Sequence, residues 1–311
     1  MTLPNFIVIG AAKSGTTSLY RYLREHPEIY MPPIKEPEFF SFMGKKIDPK
    51  DFKQAPANFA VTDWNEYHSL FKDGEGKKAI GEASPGYIYS QEAPGRIKEH
   101  IPHAKLIAIL RDPAVRAYSH FNMRLNKSHA DVVDPVKDFE EVLAAENYRI
   151  GEGWGPGYHY RARGFYYEQL KRYYDLFPAE QIRVYLYEDL RRDPAAVMKD
   201  IFQFLGVDDT FVPDFKKIHN KGRYQAVVKN RVWHDFLTRG NPVKTLLKPL
   251  FNSETRQGVK KFLVNKNMTS APAAEKSGLD PQIRRGLVDI YKEDILKLEK
   301  LIGRDLSAWR V

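Results

Sequence analysis

Short apolar runs alternate with amphipathic stretches along the chain, and the first pair sets the pattern. Residues 6–9 are apolar and mostly β-branched, residues 10–15 are rich in glycine and small side chains, and apolar positions then recur at helical spacing until Pro27. A buried run of this length, bounded by glycine and followed by helical spacing, predicts a strand, a tight loop and a helix.

The same order recurs further along the chain. Strands are predicted at 29–31, 79–81, Lys105–Leu110 and 182–187. Helices are predicted near 64–71, Ala93–His100, 113–126, 139–147, 164–177, Pro194–Leu205 and Pro281–Ile302. Strands that alternate with helices indicate an α/β fold, in which helices cover both faces of a mostly parallel sheet in three layers. We predict one domain over 1–311, with a basic, partly helical insertion at about 225–275.

Composition excludes several classes of protein. No apolar run reaches the roughly 18 residues of a membrane span, and the first residues lack a charged segment followed by an apolar signal core, so we expect a cytoplasmic protein. The sequence has no cysteine, and its nine histidines lack metal-ligand spacing. We therefore expect neither disulfides nor a metal.

The net charge of +9 favours anionic partners and is concentrated in one segment. Residues 221–266 contain eleven lysines and arginines against two acids. Within 234–266, apolar and basic residues alternate, which fits either contact with a membrane surface or an anionic substrate, or a helix pair packed on the domain. No nucleic-acid-binding motif is present, so no nucleic-acid partner is expected, and the oligomeric state is open.

The loop after the first strand has the frame of a phosphate-binding loop with a displaced lysine. In the pattern G-x-x-x-x-G-K-[ST], the lysine follows the second glycine and serves the β- and γ-phosphates of a nucleoside triphosphate. Gly10, Gly15 and Thr17 fit this frame, but Thr16 occupies the lysine position and the lysine is Lys13. The displacement favours a ligand with a single bridging group to polarise over a triphosphate with Mg²⁺.

Two other predicted strand ends carry charged residues. Arg111 follows the strand Lys105–Leu110, and Ser119 lies eight residues, about two helical turns, beyond it. A guanidinium and a hydroxyl at this spacing can bind one anion from the same side. Glu82 follows the strand at 79–81. Because the carboxyl ends of parallel strands form the ligand crevice, we expect these residues to face the same site as Lys13.

These motifs, together with a later cation–glycine–cation triplet, resemble those of sulfotransferases that use 3′-phosphoadenosine 5′-phosphosulfate (PAPS), particularly the heparan-sulfate-type branch and its bacterial relatives. The loop similar to the family's 5′-phosphosulfate loop consists of Lys13, Ser14, Gly15, Thr16, Thr17 and Ser18. Arg111 through Ser119 resembles the family's 3′-phosphate motif. The triplet Lys221, Gly222 and Arg223 resembles the loop that closes over the nucleotide.

The resemblance also implies catalytic roles. Lys13 would stabilise negative charge on the oxygen that bridges phosphate and sulfate. Glu36 is the first candidate for the general base, because its segment resembles the one that carries the family's catalytic glutamate. Glu38 stands where many relatives have a histidine, and it would raise the pKa of Glu36 if both face the site. Glu82 is the second candidate base. The lysine that relatives often have at position 83 is Ala83 here, which weakens a heparan-like assignment.

The resemblance therefore implies transfer of a sulfuryl group from PAPS to an acceptor hydroxyl of a carbohydrate, lipid or small metabolite, by in-line displacement with a glutamate base and without a metal. A phosphate-loop kinase or NTPase is one alternative, although it predicts a lysine at Thr16. The other alternative is a non-catalytic binder of an anionic polymer, which the basic segment 221–266 favours.

Overall fold

The computed structural model describes residues 2–47, 60–125, 134–217, 224–228, 268–272 and 278–311. The chain forms two units, one of Met1–Phe215 with Leu279–Val311 and the other of Lys216–Gly278. The second unit is described through two antiparallel strands, β6 (Tyr224–Val228) and β7 (Met268–Pro272), in which Tyr224 lies opposite Pro272. The helices predicted for the basic insertion lie outside the described residues.

A five-stranded sheet forms the centre of the first unit. Its strands are β1 (Phe6–Gly10), β2 (Ile29–Tyr30), β3 (Ala79–Ala83), β4 (Lys105–Leu110) and β5 (Ile182–Leu186), in the spatial order β2-β3-β1-β4-β5. All neighbouring pairs are parallel. Each predicted strand is present, and the α/β prediction is confirmed. β3 extends two residues further than predicted, which places Glu82 inside the strand.

Ten α-helices are present in the described part of the chain. They are α1 (Thr16–Glu25), α2 (Phe39–Phe42), α3 (Trp64–Ser69), α4 (Ala93–His100), α5 (Pro113–Leu125), α6 (Phe139–Gly151), α7 (Tyr166–Tyr174), α8 (Tyr187–Arg192), α9 (Pro194–Leu205) and α10 (Pro281–Ile302). Aspartates stabilise several helix starts by accepting first-turn N–H groups. Asp112 accepts from Ala114 and Val115 before α5, and Asp280 accepts from Gln282 and Ile283 before α10.

The core lies on both faces of the sheet, as an all-parallel sheet requires. Every residue of β1 is buried, and so is every residue of β3. Gly81 is needed in β3 because a Cβ there would lie 2.2 Å from the Cζ atom of Phe6. Within the described ranges, no helix combines the length and apolar character that a membrane crossing needs.

Candidate active site

The loop between β1 and α1 presents backbone N–H groups at the carboxyl end of β1. Lys13 and Gly15 both have left-handed backbone conformations, with φ of 73° and 98°. Among the described residues, no backbone or side-chain oxygen accepts the N–H groups of Thr16 and Thr17 at the start of α1. Ser14 and Thr16 are buried, whereas Thr17 is exposed and Ser18 is half-buried. A helix start with open N–H groups is suited to a phosphate or sulfate.

Arg111 lies at the end of β4 and contacts the β1–α1 loop directly. Its Nη1 atom donates a hydrogen bond to the Lys13 carbonyl at 3.2 Å. Its guanidinium stands 4.7 Å from the ring centre of Tyr187, and the Tyr166 hydroxyl donates to the Arg111 carbonyl at 3.0 Å. The segments that follow β1 and β4 therefore contact each other, and each contributes a cationic residue to the same edge of the sheet.

Tyr187 is part of this edge, although the sequence analysis assigns it no role. It begins α8 directly after β5, so it occupies a third strand end. A Cβ atom on Gly15 would lie 3.0 Å from the Tyr187 ring. Glycine at position 15 therefore meets two needs, the left-handed backbone and the close approach of the ring. The position directly after β5 is the signal that would have found Tyr187.

Of the remaining residues predicted to bind the nucleotide, the structure describes Ser119 but not the triplet at 221–223. Ser119 is half-buried on α5, two helical turns beyond Arg111. Lys221, Gly222 and Arg223 lie outside the described residues, as does the alternating segment 234–266. Their assignment stays a prediction.

Glu36 lies on a strained segment between β2 and α2. Its N–H donates to the Ala83 carbonyl at 3.1 Å, which ties the segment to the end of β3. Glu36 and Glu38 both have positive φ values, 63° and 51°, a conformation that is costly for residues other than glycine and is concentrated at functional sites. The Glu36 side chain is 47% exposed and pairs with Lys35, so its carboxylate remains open to an incoming molecule.

Glu38 is held more tightly than Glu36. Its carboxylate accepts the Gly86 N–H at 2.9 Å and the Ser41 hydroxyl at 3.2 Å. Burial raises the pKa of Glu38 to about 7, and the nearby Glu36 charge adds to the rise, while the Gly86 N–H opposes it. Glu38 is thus a buried carboxyl with a raised pKa beside the exposed Glu36.

Glu82 lies inside the core, and this corrects its predicted position at the open crevice. The residue is completely buried. Its Oε1 atom accepts the hydroxyls of Tyr67 and Tyr87, each at 2.8 Å, and its Oε2 atom accepts the Ser84 hydroxyl at 2.6 Å. Burial raises the pKa of Glu82 to about 7, and the three hydroxyls oppose that rise. Its carboxylate is therefore enclosed by protein groups instead of facing an open crevice, and the role of Glu82 as the second candidate base stays a prediction.

No cluster of three or more histidine, aspartate or glutamate side chains suited to a metal ion occurs in the part of the chain that the structure describes. The expectation of a reaction without metal stays a prediction. The cations and carboxylates of the site come from strand ends and loops that the sheet brings to one edge, the usual position for ligands in open α/β sheets.

Comparison with known proteins identifies the family. The family model described as a sulfotransferase domain matches residues 3–298. The crystal structure of a sulfotransferase from Alicyclobacillus acidocaldarius superimposes with a TM-score of 0.72 at 32% identity, with 100% of both chains covered.

Two curated relatives are bifunctional heparan sulfate N-deacetylase/N-sulfotransferases. The human form 3 is 35% identical over 213 residues, which cover 66% of this chain and 22% of that protein. Form 1 of Xenopus tropicalis is 27% identical over 326 residues, which cover 98% of this chain and 31% of that protein. The chain thus spans between about a fifth and a third of the length of these relatives. With the family model matching nearly the whole chain, the resemblance inferred from the Lys13 loop and the Arg111 strand end is confirmed, and the chain belongs to the sulfotransferase domain family.

Proposed function

We propose that the chain transfers a sulfuryl group from PAPS to an acceptor hydroxyl by in-line displacement. The hydrogen bond of 3.2 Å from Arg111 to the Lys13 carbonyl carries this proposal. It couples the loop suited to a 5′-phosphosulfate to the residue suited to a 3′-phosphate, so one nucleotide with both groups can span them. Membership of the family supports the same donor.

The residues at this edge fit PAPS. The N–H groups of Thr16 and Thr17 are available for the sulfate and the 5′-phosphate. Arg111 offers a planar guanidinium to the 3′-phosphate, and Ser119 adds a hydroxyl two turns along α5. By resemblance, Lys221, Gly222 and Arg223 complete the nucleotide site.

The proposed chemistry divides between one cation and one carboxylate. PAPS supplies a sulfuryl group that is activated by its bond to phosphate. Lys13 stabilises the negative charge that develops on the bridging oxygen as that bond breaks. Glu36 accepts the proton of the acceptor hydroxyl, because it is the exposed carboxylate of the segment bound to the end of β3. Glu38, with its carboxyl held by Gly86 and Ser41, borders this base.

A carbohydrate is the first acceptor to consider. The names of the curated relatives include heparan sulfate. However, Ala83 occupies the position at which the sulfotransferases that this chain resembles often have a lysine that holds anionic sugar. We therefore propose a sugar hydroxyl as the acceptor and do not restrict the sugar to a heparan chain. Lipids and small metabolites are the next acceptor classes to test. Because the relatives are named N-sulfotransferases, an amino sugar belongs in the same assay.

Ligand-induced stabilisation tests the donor. Adenosine 3′,5′-bisphosphate, the product left after transfer, should raise the melting temperature without Mg²⁺, whereas ATP with Mg²⁺ should not. The reverse result would favour the kinase or NTPase alternative. Transfer is then measured with radiolabelled PAPS and a panel of sugars, amino sugars, lipids and metabolites. Salt-dependent binding of anionic polymers, with no labelled product in any reaction, would favour the non-catalytic binder.

A further inference from the structure

One face of α5 buries three cationic or potentially cationic side chains that the proposed reaction does not use. Arg116, His120 and Arg124 are spaced four residues apart, so successive members lie next to each other on the helix. They are 0%, 2% and 3% exposed. We call these three side chains the α5 cation face.

The segment 158–160 covers the α5 cation face. The Nη2 atom of Arg116 donates to the Tyr160 carbonyl. The His120 ring centre lies 5.0 Å from that of Tyr160, and the Arg124 guanidinium lies 4.6 Å from the ring centre of Tyr158. All three side chains thus lie between α5 and the same short segment.

Several N–H donors of this face remain unused. Within the described structure, no hydrogen-bond acceptor reaches Nε or Nη1 of Arg116, Nδ1 of His120, or Nε and Nη2 of Arg124. A guanidinium that is removed from water normally has a carboxylate or another acceptor, because an unpaired buried charge is strongly unfavourable. Two buried guanidinium groups with open donors on one helix face point to an anionic ligand.

The carboxylates near this face are already used by other groups. Asp134 accepts both Nη atoms of Arg149, at 2.8 and 3.0 Å, and the Tyr160 hydroxyl at 2.6 Å. Glu146 accepts the backbone N–H groups of Arg161 and Ala162, at 2.6 and 2.7 Å. The protein therefore supplies no spare acid for the α5 cation face from these two positions.

His120 is held in its neutral form in this setting. Burial lowers its pKa well below the ordinary value, and the surrounding charges of Arg163, Arg116, Lys13 and Arg124 lower it further. A neutral imidazole with its proton on Nδ1 donates one hydrogen bond without adding a charge. Placed between two guanidinium groups, it offers a donor where a third cation would be repelled.

We propose that Arg116, His120 and Arg124 bind a small inorganic anion, such as chloride or sulfate, as a structural ligand of the fold. Nearly complete burial fits an ion of this size, which can enter during local opening, better than a group attached to a polymer. The site lies beside the one proposed for PAPS, since the charge of Lys13 acts on His120, but it consists of α5 side chains instead of the β1–α1 loop and Arg111. The inference therefore stands whether or not the chain uses PAPS.

Thermal unfolding in different salts tests this site. The wild-type chain, saturated with adenosine 3′,5′-bisphosphate, is compared in sodium chloride, sodium sulfate and sodium gluconate at equal ionic strength. The Arg111→Ala chain is compared in the same salts without nucleotide, which removes the Arg111 guanidinium as an alternative anion-binding group. We expect chloride or sulfate, but not the bulky gluconate, to raise the melting temperature with a saturable dependence on concentration. The anion whose stabilising effect saturates at the lower concentration is the preferred ion.

Substitutions on the face provide the second readout. Arg124→Met and Arg116→Met should lose the anion-dependent rise in melting temperature, and both should gain stability in gluconate because an unpaired buried charge is removed. Arg96→Met is the matched control. Arg96 is an arginine on α4 that donates to the Phe40 carbonyl at 2.9 Å, so its substitution should leave the anion response intact.

Crystals grown in bromide locate the ion directly. An anomalous difference peak within hydrogen-bond distance of Arg116, His120 or Arg124 would support the site, including the case in which the methionine variants do not fold. Equal wild-type melting temperatures in the three salts, an unchanged anion response in Arg124→Met, or the absence of a bromide peak at this face would overturn the proposal. None of these readouts involves sulfuryl transfer.

Discussion

Lys13 and Arg111 follow the neighbouring strands β1 and β4 and are joined by a hydrogen bond, whereas Glu36 follows β2 and Glu82 lies within β3. The two carboxylates differ completely in exposure. Arg111 donates to the carbonyl of Lys13 at 3.2 Å, so the backbone of the β1–α1 loop helps to position the Arg111 guanidinium. Glu36 is 47% exposed at its side chain, and Glu82 is fully buried under three hydroxyls. A position near a strand end therefore does not by itself make a side chain accessible to a ligand.

The difference follows from the geometry of a parallel sheet. Strands covered by helices on both faces bury the side chains of both faces. Glu82 is one residue short of the end of β3, where its carboxylate points into protein and needs partners. Arg111 is one residue beyond the end of β4, where the chain has left the covered part of the sheet. A difference of two positions relative to the strand end thus separates a core carboxylate from a residue at the ligand edge.

The largest expected effect is on the exposed carboxylate. Glu36→Gln keeps the shape of the side chain and removes the proton acceptor, so the rate constant for transfer should fall by about 10²–10⁴-fold. The affinity for adenosine 3′,5′-bisphosphate should change little, because Glu36 lies on the segment tied to β3 and not on the β1–α1 loop. Single-turnover transfer and nucleotide titration measure the two quantities separately.

Glu99→Gln serves as the control, since Glu99 is an exposed carboxylate on α4 with 75% of its side chain accessible. It should transfer at the wild-type rate. If Glu36→Gln slows transfer by less than about tenfold, a general base at this position is excluded, because such a base contributes more. Glu38→Gln would then be the next variant to measure.

On the cationic side, Lys13→Met should lower the transfer rate by about 10²–10³-fold, the usual effect of removing one donor to a developing negative charge. The Lys13 carbonyl that Arg111 contacts is retained, so nucleotide binding should weaken much less than transfer. Lys171→Met is the control, because Lys171 forms an exposed pair with Asp175 on the surface of the domain. Equal losses of binding and transfer in Lys13→Met would assign Lys13 to ground-state binding alone.

Arg111→Ala should act mainly on nucleotide affinity. Loss of a charge-assisted contact costs roughly 1.5–3 kcal/mol, which corresponds to a rise of about ten- to a hundredfold in the dissociation constant of adenosine 3′,5′-bisphosphate. Arg111→Lys should recover only part of it, since lysine lacks the planar fork and the stacking on Tyr187. Arg192→Ala, at an exposed arginine of α8, is the control. An unchanged dissociation constant in Arg111→Ala would contradict a role at the 3′-phosphate.

Much of the fold, and the part of the site that contains Lys13 and Arg111, could be predicted from the sequence. β4 matches its predicted bounds because an apolar run lies between a charged residue and Arg111-Asp112-Pro113, which ends the strand and starts α5. The β1–α1 loop was recognisable because its chemistry is local. Glycine spacing, the displaced Lys13 and the start of the following helix all fall within ten residues.

The surroundings of the carboxylates could not be predicted in this way, because they depend on contacts between distant segments. Tyr67 lies fifteen residues before Glu82 on α3, and its hydroxyl reaches the carboxylate only after α3 packs beside the sheet. Gly86 lies forty-eight residues after Glu38 and holds that carboxyl by its N–H. Neither pairing leaves a periodic signal in the sequence. The apolar pattern predicts that Tyr187 belongs to the last strand, and its packing against Gly15 is likewise a tertiary contact.

The smallest effect on transfer is expected for Glu82, whose influence should appear in stability instead. Its pKa is about 7 in the folded chain, against an ordinary value of 4.5. Between these values the folded state binds more protons than the unfolded state, so the free energy of unfolding falls as the pH rises through this window. Above pH 7 the full cost of the buried charge is present. Glu38, with its pKa also raised to about 7, acts in the same direction.

Glu82→Gln removes the charge and retains an amide that can pair with the surrounding hydroxyls. We expect the variant to exceed the wild type in unfolding free energy by about 1–3 kcal/mol at pH 8, and by much less at pH 5. Urea unfolding at pH 5, 6, 7 and 8 measures this slope, with the exposed Glu99→Gln as the variant that should keep the wild-type slope. Transfer by Glu82→Gln should remain within about tenfold of the wild type, below the contribution of a general base. A wild-type pH slope combined with a large loss of transfer would reverse the comparison, because it would make the buried Glu82 the base and the exposed Glu36 a bystander.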